Sequence, residues 1–188
     1  MSAAILGAVA CAAAAQDRRE LPVTVEARSS DFDYRSNVLV FNDVTIVQGA
    51  IRIVAERAQA SGLDFEDSGW EFSGSVHITM PDGVLTSDTA RVRFAGGEIQ
   101  SASVTGAPAS FEQHRDARLV QGRAQRIDYD LRPGTVELAG DAWLGDGRNE
   151  ITGATLVYST ESQRVISREQ VTITIKPREQ PDAPKNPE

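Results

Sequence analysis

Residues 37–58 read Asn-Val-Leu-Val-Phe-Asn-Asp-Val-Thr-Ile-Val-Gln-Gly-Ala-Ile-Arg-Ile-Val-Ala-Glu-Arg-Ala. Val38-Leu39-Val40-Phe41, Val44-Thr45-Ile46-Val47 and Ile51-Arg52-Ile53 are short β-branched or apolar runs, broken by Asn42-Asp43 and by Gly49. Val, Ile and Phe pack well on a pleated surface, whereas Asn, Asp and Gly accept turn conformations. Residues two apart share one face of a strand. Val44 with Ile46, and Ile51 with Ile53, therefore mark one apolar face, and the stretch predicts consecutive antiparallel strands.

The same grammar continues along the chain. Later runs are Glu71-Phe72, Val76-His77-Ile78-Thr79, Arg91-Val92-Arg93-Phe94, Val136-Glu137-Leu138 and Val171-Thr172-Ile173-Thr174-Ile175, several of them alternating with period two. Pro81-Asp82-Gly83, Gly96-Gly97, Pro133-Gly134 and Asp146-Gly147 supply turns between them. Residues 55–60 would fit one helical turn, but no stretch of the mature chain sustains a helical period over three. The expected fold is all-β.

Aligning the turns exposes a repeat. Phe72-Ser73-Gly74-Ser75-Val76-His77-Ile78 resembles Leu138-Ala139-Gly140-Asp141-Ala142-Trp143-Leu144, and Val104-Thr105-Gly106-Ala107 fits the same slot. A second element recurs as Ala58, Ala90, Ala124 and Ala154, each just before a strand. The unit reads as a hairpin plus a return strand, stacked several times. Such stacks bury a continuous core between neighbours and leave open strand edges at both ends. A closed sandwich with regular strand spacing is the plainer alternative.

Composition bounds the function. The net charge is −8 and the pI about 4.8, so the surface repels phosphate backbones and no nucleic acid is expected as a partner. Residues 1–15 are apolar and alanine-rich, with Ala13-Ala14-Ala15 as a small-residue cleavage site, and are expected to be a signal peptide; a truncated membrane anchor is the alternative. The single cysteine, Cys11, lies inside that segment, so the mature chain is expected to hold no disulfide and no thiol chemistry. Residues 16–175 form the expected folded domain. Residues 176–188, with Pro177, Pro181, Pro184 and Pro187 among charges, form a tail too polar to build a core.

Chemical motifs are missing. His77 and His114 have no metal or catalytic spacing around them, and His77, between Val76 and Ile78, is expected to face solvent. Asp31 with Asp33, Asp64 with Glu66 and Asp67, and Asp128 with Asp130 are close pairs. In an acidic chain they read as surface charge rather than as an acid–base pair. No enzyme, cofactor or metal is expected.

Two blocks carry a resemblance to a known family. The first is Phe41, Val44-Thr45-Ile46, Gln48-Gly49, Ile51-Arg52-Ile53 and Ala55-Glu56-Arg57-Ala58. The second includes Gly122-Arg123-Ala124, Ile127-Asp128-Tyr129, Val136 and Leu138, Gly140, Ala142-Trp143-Leu144, Glu150-Ile151, Gly153 and Leu156-Val157-Tyr158. In their shared order over residues 22–168 they resemble the OstA-like family of periplasmic lipopolysaccharide-transport bridge proteins. A further hairpin unit within residues 62–111 is more similar to the inner-membrane-anchored, LptC-like branch. The resemblance implies a V-shaped antiparallel β-jelly-roll in the periplasm that shelters lipid A acyl chains of lipopolysaccharide in an apolar groove. It also implies head-to-tail stacking of copies between an inner-membrane LptC-like component and an outer-membrane LptD-like translocon, without any cofactor. The period-two alternation names the groove candidates: Phe41, Val44, Ile46, Ile51, Ile53, Phe72, Val76, Ile78, Phe94, Ile127, Tyr129, Val136, Leu138, Ile151, Leu156 and Tyr158. An LptC-like anchored intermediate and a structural β-solenoid without a lipid ligand remain the other readings.

Overall fold

The computed structural model describes residues 21–33, 35–61, 67–115 and 118–176. The expected signal segment, residues 177–188 of the expected tail, and Asp64 and Glu66 lie outside these. The described chain is all-β: β1 (Val23–Asp33), β2 (Val38–Gln48), β3 (Ile51–Ser61), β4 (Asp67–Met80), β5 (Gly83–Ala95), β6 (Glu98–Arg115), β7 (Arg118–Asp130), β8 (Thr135–Gly145), β9 (Asn149–Ser159), β10 (Arg164–Ile166) and β11 (Val171–Ile175). Every pairing is antiparallel, and β1 to β10 lie side by side in chain order. The far edge of β9 is covered in two pieces, residues 157–159 by β10 and residues 149–153 by β11. The sheet does not close on itself. β1 is an edge at one end, and β10 with β11 at the other.

From β3 to β9 each pairing of neighbouring strands is interrupted near its middle, and β5–β6 has a second shift between Arg93 and Phe94. The register shifts between Val54 and Arg57, Ser73 and Val76, Thr86 and Thr89, Thr105 and Ala109, Arg123 and Arg126, and Ala139 and Ala142. These bulges line up across the sheet and fold it over, because a bulged strand bends locally. The repeated Gly74, Gly106 and Gly140 of the sequence sit on this line. Asp43 (φ 48°), Ser75 (φ 47°) and Asp141 (φ 51°), on the same line, adopt the left-handed conformation. Asn42-Asp43, read from sequence as a break between strands, is therefore a kink inside one strand: Asp43 turns the chain without ending the ladder. Residues 55–60 are likewise strand rather than helical turn.

Folding over produces two limbs. Limb A holds the strand segments that adjoin the turns at 96–97 and 131–134; limb B holds those that adjoin 49–50, 81–82 and 146–148. Their apolar faces meet. Phe111 of β6 packs edge-on against Tyr129 of β7 at 6.4 Å and lies 6.2 Å from Tyr158 of β9. β6 and β9 are three strands apart, so the Phe111–Tyr158 contact exists only because one limb lies over the other. The expected V-shaped antiparallel jelly-roll of stacked hairpins is the fold observed.

Candidate lipid-binding interior

The interior is built by the alternation. On β2 the pattern of buried and less buried residues is regular from Leu39 through Phe41, with Val44, Ile46 and Gln48 buried beyond the kink. Of the expected groove residues, Phe41, Val44, Ile46, Ile53, Phe72, Val76, Ile78, Phe94, Ile127, Val136, Leu138, Leu156 and Tyr158 are buried, while Ile51, Tyr129 and Ile151 are half-buried near the rims. All but Ile51 belong to one apolar cluster or pack against it; Ile51 lines a small pocket at the rim. The repeat alanines serve the same end: Ala58, Ala90 and Ala124 are buried just beyond the bend, where a larger side chain would hold the limbs apart, whereas Ala154 is exposed.

Several interior residues were not singled out in the sequence. Trp70 is fully buried and stacked on Phe41 at 5.6 Å and on Phe72 at 6.2 Å, with Phe94 edge-on at 6.4 Å. Leu39, Leu85, Val92, Val104, Phe111 and Leu144 are buried too. Counting by two from Phe41, Phe72 and Phe94 recovers Leu39, Trp70 and Val92. β6 offered no such signal, because its inward Ala102, Val104 and Ala109 alternate with Ser and Thr and Pro108 interrupts the run.

Polar residues are rare inside. Among the described residues the buried polar side chains are Gln48, Ser68, Gln113 and Thr160. Gln113 Oε1 accepts a hydrogen bond from the Tyr158 hydroxyl at 3.1 Å, Gln48 Nε2 donates to the Gly97 carbonyl, and Thr160 Oγ1 donates to the Gly134 carbonyl at 3.0 Å. Burial pushes the Tyr129 phenol up, partly offset by its hydrogen bond with Thr160. Among the described residues the buried polar side chains form no nucleophile–base pair. No group of three or more His, Cys, Asp or Glu side chains placed to hold a metal occurs among the described residues.

The charged residues lie outside. His77 and His114 are exposed, as are Asp31, Asp33, Asp67 and Asp130. The outer face of limb A forms a broad concavity of about 900 Å³ along Glu71, Arg91, Arg93, Ser103 and Asp128. Arg91 pairs with Glu71 at 2.9 Å, Arg93 with Asp67 at 3.6 Å and the neighbouring Arg126 with Asp128 at 2.8 Å, so the arginines here are paired, while Asp130 and Glu137 leave the concavity acidic. Such exposed pairs contribute little to stability. Lys176, the first residue of the expected tail, holds β11 in place. Its backbone N–H donates to the Arg148 carbonyl at 3.0 Å, and its ammonium pairs with Glu150 at 2.5 Å. Hydrogen bonds from Lys176 and then from the Trp143 indole hold the Glu150 carboxyl below its ordinary value.

Comparison with known proteins finds relatives of this chain. Residues 57–164, more than half the chain, match the profile of the LptA/(LptD N-terminal domain) LPS transport protein family. The hairpin within 62–111 that sequence reading set apart falls inside the matched region. The lipopolysaccharide export system protein LptA of Escherichia coli K12 is 29% identical over 106 residues, covering 55% of this chain and 57% of that protein. The LptA of Haemophilus influenzae is 27% identical over 123 residues, covering 63% of this chain and 70% of that protein. The chain thus spans little more than half the length of the Escherichia coli relative. The crystal structure of LptH from Pseudomonas aeruginosa, described as the LptA-homologous periplasmic component of the lipopolysaccharide transport device, aligns with a TM-score of 0.44 at 20% identity over 85% of this chain and 98% of that one. With its motifs in order, its bent open sheet and its apolar interior accounted for, the chain belongs to the LptA/LptD N-terminal-domain family of lipopolysaccharide transport proteins, the OstA-like family.

Proposed function

We propose that this chain is a periplasmic carrier of lipopolysaccharide that shelters the acyl chains between its two limbs and leaves sugars and phosphates in water. The observation that carries the reading is the continuous apolar cluster running from β2 to β9 inside a sheet open at both ends, in a member of a lipopolysaccharide transport family. Burial of acyl chains gains about 0.8 kcal/mol per methylene. An acidic protein can therefore take up an anionic lipid, because its affinity does not rest on charge. An apolar interior supports a binding role over catalysis, and no cofactor is expected.

The open edges support head-to-tail assembly between an inner-membrane LptC-like component and an outer-membrane LptD-like translocon. An exposed strand edge is a template for another strand, and β-augmentation is a general mode of assembly. β1 carries three carboxylates (Glu26, Asp31, Asp33) against one Arg28, whereas residues 164–176 carry Arg164, Arg168 and Lys176 against one Glu169. The two ends have opposite charge, which favours one end meeting the other. Mass spectrometry of lipid co-purifying with the periplasmic protein, with its size measured at rising concentration, tests the proposal. Lipopolysaccharide together with linear oligomers supports it. A lipid-free monomer at all concentrations counts against both parts.

A further inference from the structure

The outer face of limb A is divided by charge. Next to the bend, the register sets out a row of cross-strand neighbours. Arg57 of β3 lies opposite Ser73 of β4, Ser73 opposite Thr89 of β5, Thr89 opposite Thr105 of β6, and Thr105 opposite Arg126 of β7. Their chain neighbours Ala58, Phe72, Ala90, Val104 and Ile127 are buried, so by alternation the row faces outward. Asn42 and Ser29 continue it on one side, Ala139 and Thr155 on the other. In a chain of net charge −8 the whole row, from β1 to β9, carries no carboxylate. The next row toward the turns holds Asp31, Glu71, Asp128 and Glu137.

The carboxylate-free row is the floor of a hollow of about 410 Å³, which also takes in Gln59, Glu71, Arg91 and Ser103. That volume falls in the range of roughly 300–1,000 Å³ that holds small ligands. Three arginines line the hollow against one carboxylate, Glu71. Arg91 spends its Nε–H on Glu71 at 2.9 Å, and Arg126 spends Nε and one Nη on Asp128. Each guanidinium carries further N–H donors beyond these. Arg57 is exposed and has no ion pair among the described residues. Neighbouring strands lie about 4.8 Å apart, so four spacings separate the Arg57 and Arg126 backbones by about 19 Å. Between them lie the hydroxyls of Ser73, Thr89 and Thr105.

A guanidinium fork matches the oxygens of a phosphate or carboxylate, and hydroxyls both donate to and accept from other hydroxyls. A long polyanion is excluded, because the acidic row beside the hollow repels it. The chemistry that fits is short, hydroxylated and negatively charged toward both ends. We infer that this hollow binds a small anionic saccharide, with an oxyanion group on Arg57 and another on Arg126 and the sugar hydroxyls over Ser73, Thr89 and Thr105. Arg91 faces the middle of the ligand. The hollow lies on the opposite face of the sheet from the apolar cluster. Lipid seated between the limbs does not reach it, so the ligand is a free saccharide. The inference stands apart from the lipid-carrier reading and adds a second, polar site.

The test is an NMR titration of the full chain, read at the Arg57 and Arg126 side-chain N–H groups and the Ser73, Thr89 and Thr105 amides. The probes are glucose 1,6-bisphosphate, glucose, inorganic phosphate and lipopolysaccharide freed of its acyl chains. The bisphosphate is expected to shift these signals and to bind at least tenfold more tightly than inorganic phosphate, while glucose leaves them unmoved. Equal affinity for the bisphosphate and for inorganic phosphate means an adventitious ion only and overturns the site, as does the absence of any shift at millimolar bisphosphate. Tighter binding of the deacylated lipopolysaccharide than of the bisphosphate overturns the free-saccharide source and gives the hollow to a lipid head. Arg57→Gln with Arg126→Gln is expected to weaken the bisphosphate at least tenfold. Both side chains are exposed, so the fold is expected to tolerate the change. Arg35→Gln with Arg168→Gln, which removes the same charge outside the hollow, is expected to leave binding unchanged. An equal loss in both pairs would make the effect one of net charge and overturn the site.

Discussion

The two limbs approach closely at Gly122 of β7, on limb B. A Cβ placed there would lie 2.7 Å from Leu138 Cδ2 on limb A, 3.2 Å from Leu144 Cδ1 and 3.5 Å from Phe111 Cδ1. Gly122→Ala therefore wedges a methyl group between the limbs. Overpacking a filled core costs about 1–3 kcal/mol, and with one contact well under van der Waals distance the upper half of that range is expected. Leu138 is fully buried, so Leu138→Ala is expected to cost about 3–4 kcal/mol through lost burial and the cavity left behind. Placed together, the alanine at 138 removes the atom that the new methyl meets. The double variant is then less destabilised than the sum of the two by about 1–2 kcal/mol, a coupling in the range seen for residues in contact. Urea unfolding of the four proteins gives the cycle, with equal m-values required for the comparison. Additivity of the two costs within about 0.5 kcal/mol would mean that the limbs do not close on one another at this point.

Other expectations follow from the bend and from β11. Gly140 has φ +79°, and a Cβ there would lie 2.7 Å from Gln125 Oε1, whose side-chain amide bonds Asp141. Gly140→Ala is expected to lose about 1–2 kcal/mol in chemical denaturation, whereas the same substitution at Gly69, with nothing near its Cβ, is expected to be nearly neutral. The Glu150 carboxyl is held below its ordinary value by Lys176 and Trp143. Its contribution is therefore complete above the ordinary carboxylate value and is lost as pH falls through the lower, folded one. Amide exchange measured down that range is expected to find β11 losing protection before β8, and Glu150→Gln is expected to remove the pH dependence.

Much of this architecture was legible in the residues because alternation survives wherever a strand has one apolar face. Val44 and Ile46, Val76 and Ile78, and Val136 and Leu138 were placed correctly by counting in twos. The repeated Gly74, Gly106 and Gly140 were visible as a pattern, but their meaning was not. They read as turns between strands and proved to be the hinge line within strands, since a glycine that bends the chain, left-handed at Gly74 and Gly140, looks the same in either setting. β6 was hidden because its residues are small and hydroxylated and Pro108 falls in its middle, although it is the longest strand. Two contacts between the limbs were hidden for another reason. Gln48 ends β2 and Gln113 lies within β6 as ordinary polar residues, and only the folding of one limb over the other, which no local pattern encodes, makes them buried partners of Gly97 and Tyr158.

The central claim is that lipid acyl chains lie between the limbs. It is tested most directly by placing the photoreactive amino acid p-benzoylphenylalanine at the half-buried interior positions Ile51, Tyr129 and Ile151 and at the outward positions Glu71 and Glu137, then irradiating living cells. Lipopolysaccharide adducts from the three interior positions and none from the two outer ones are predicted. Adducts from the outer positions alone, or from neither set in a folded and exported protein, would contradict it.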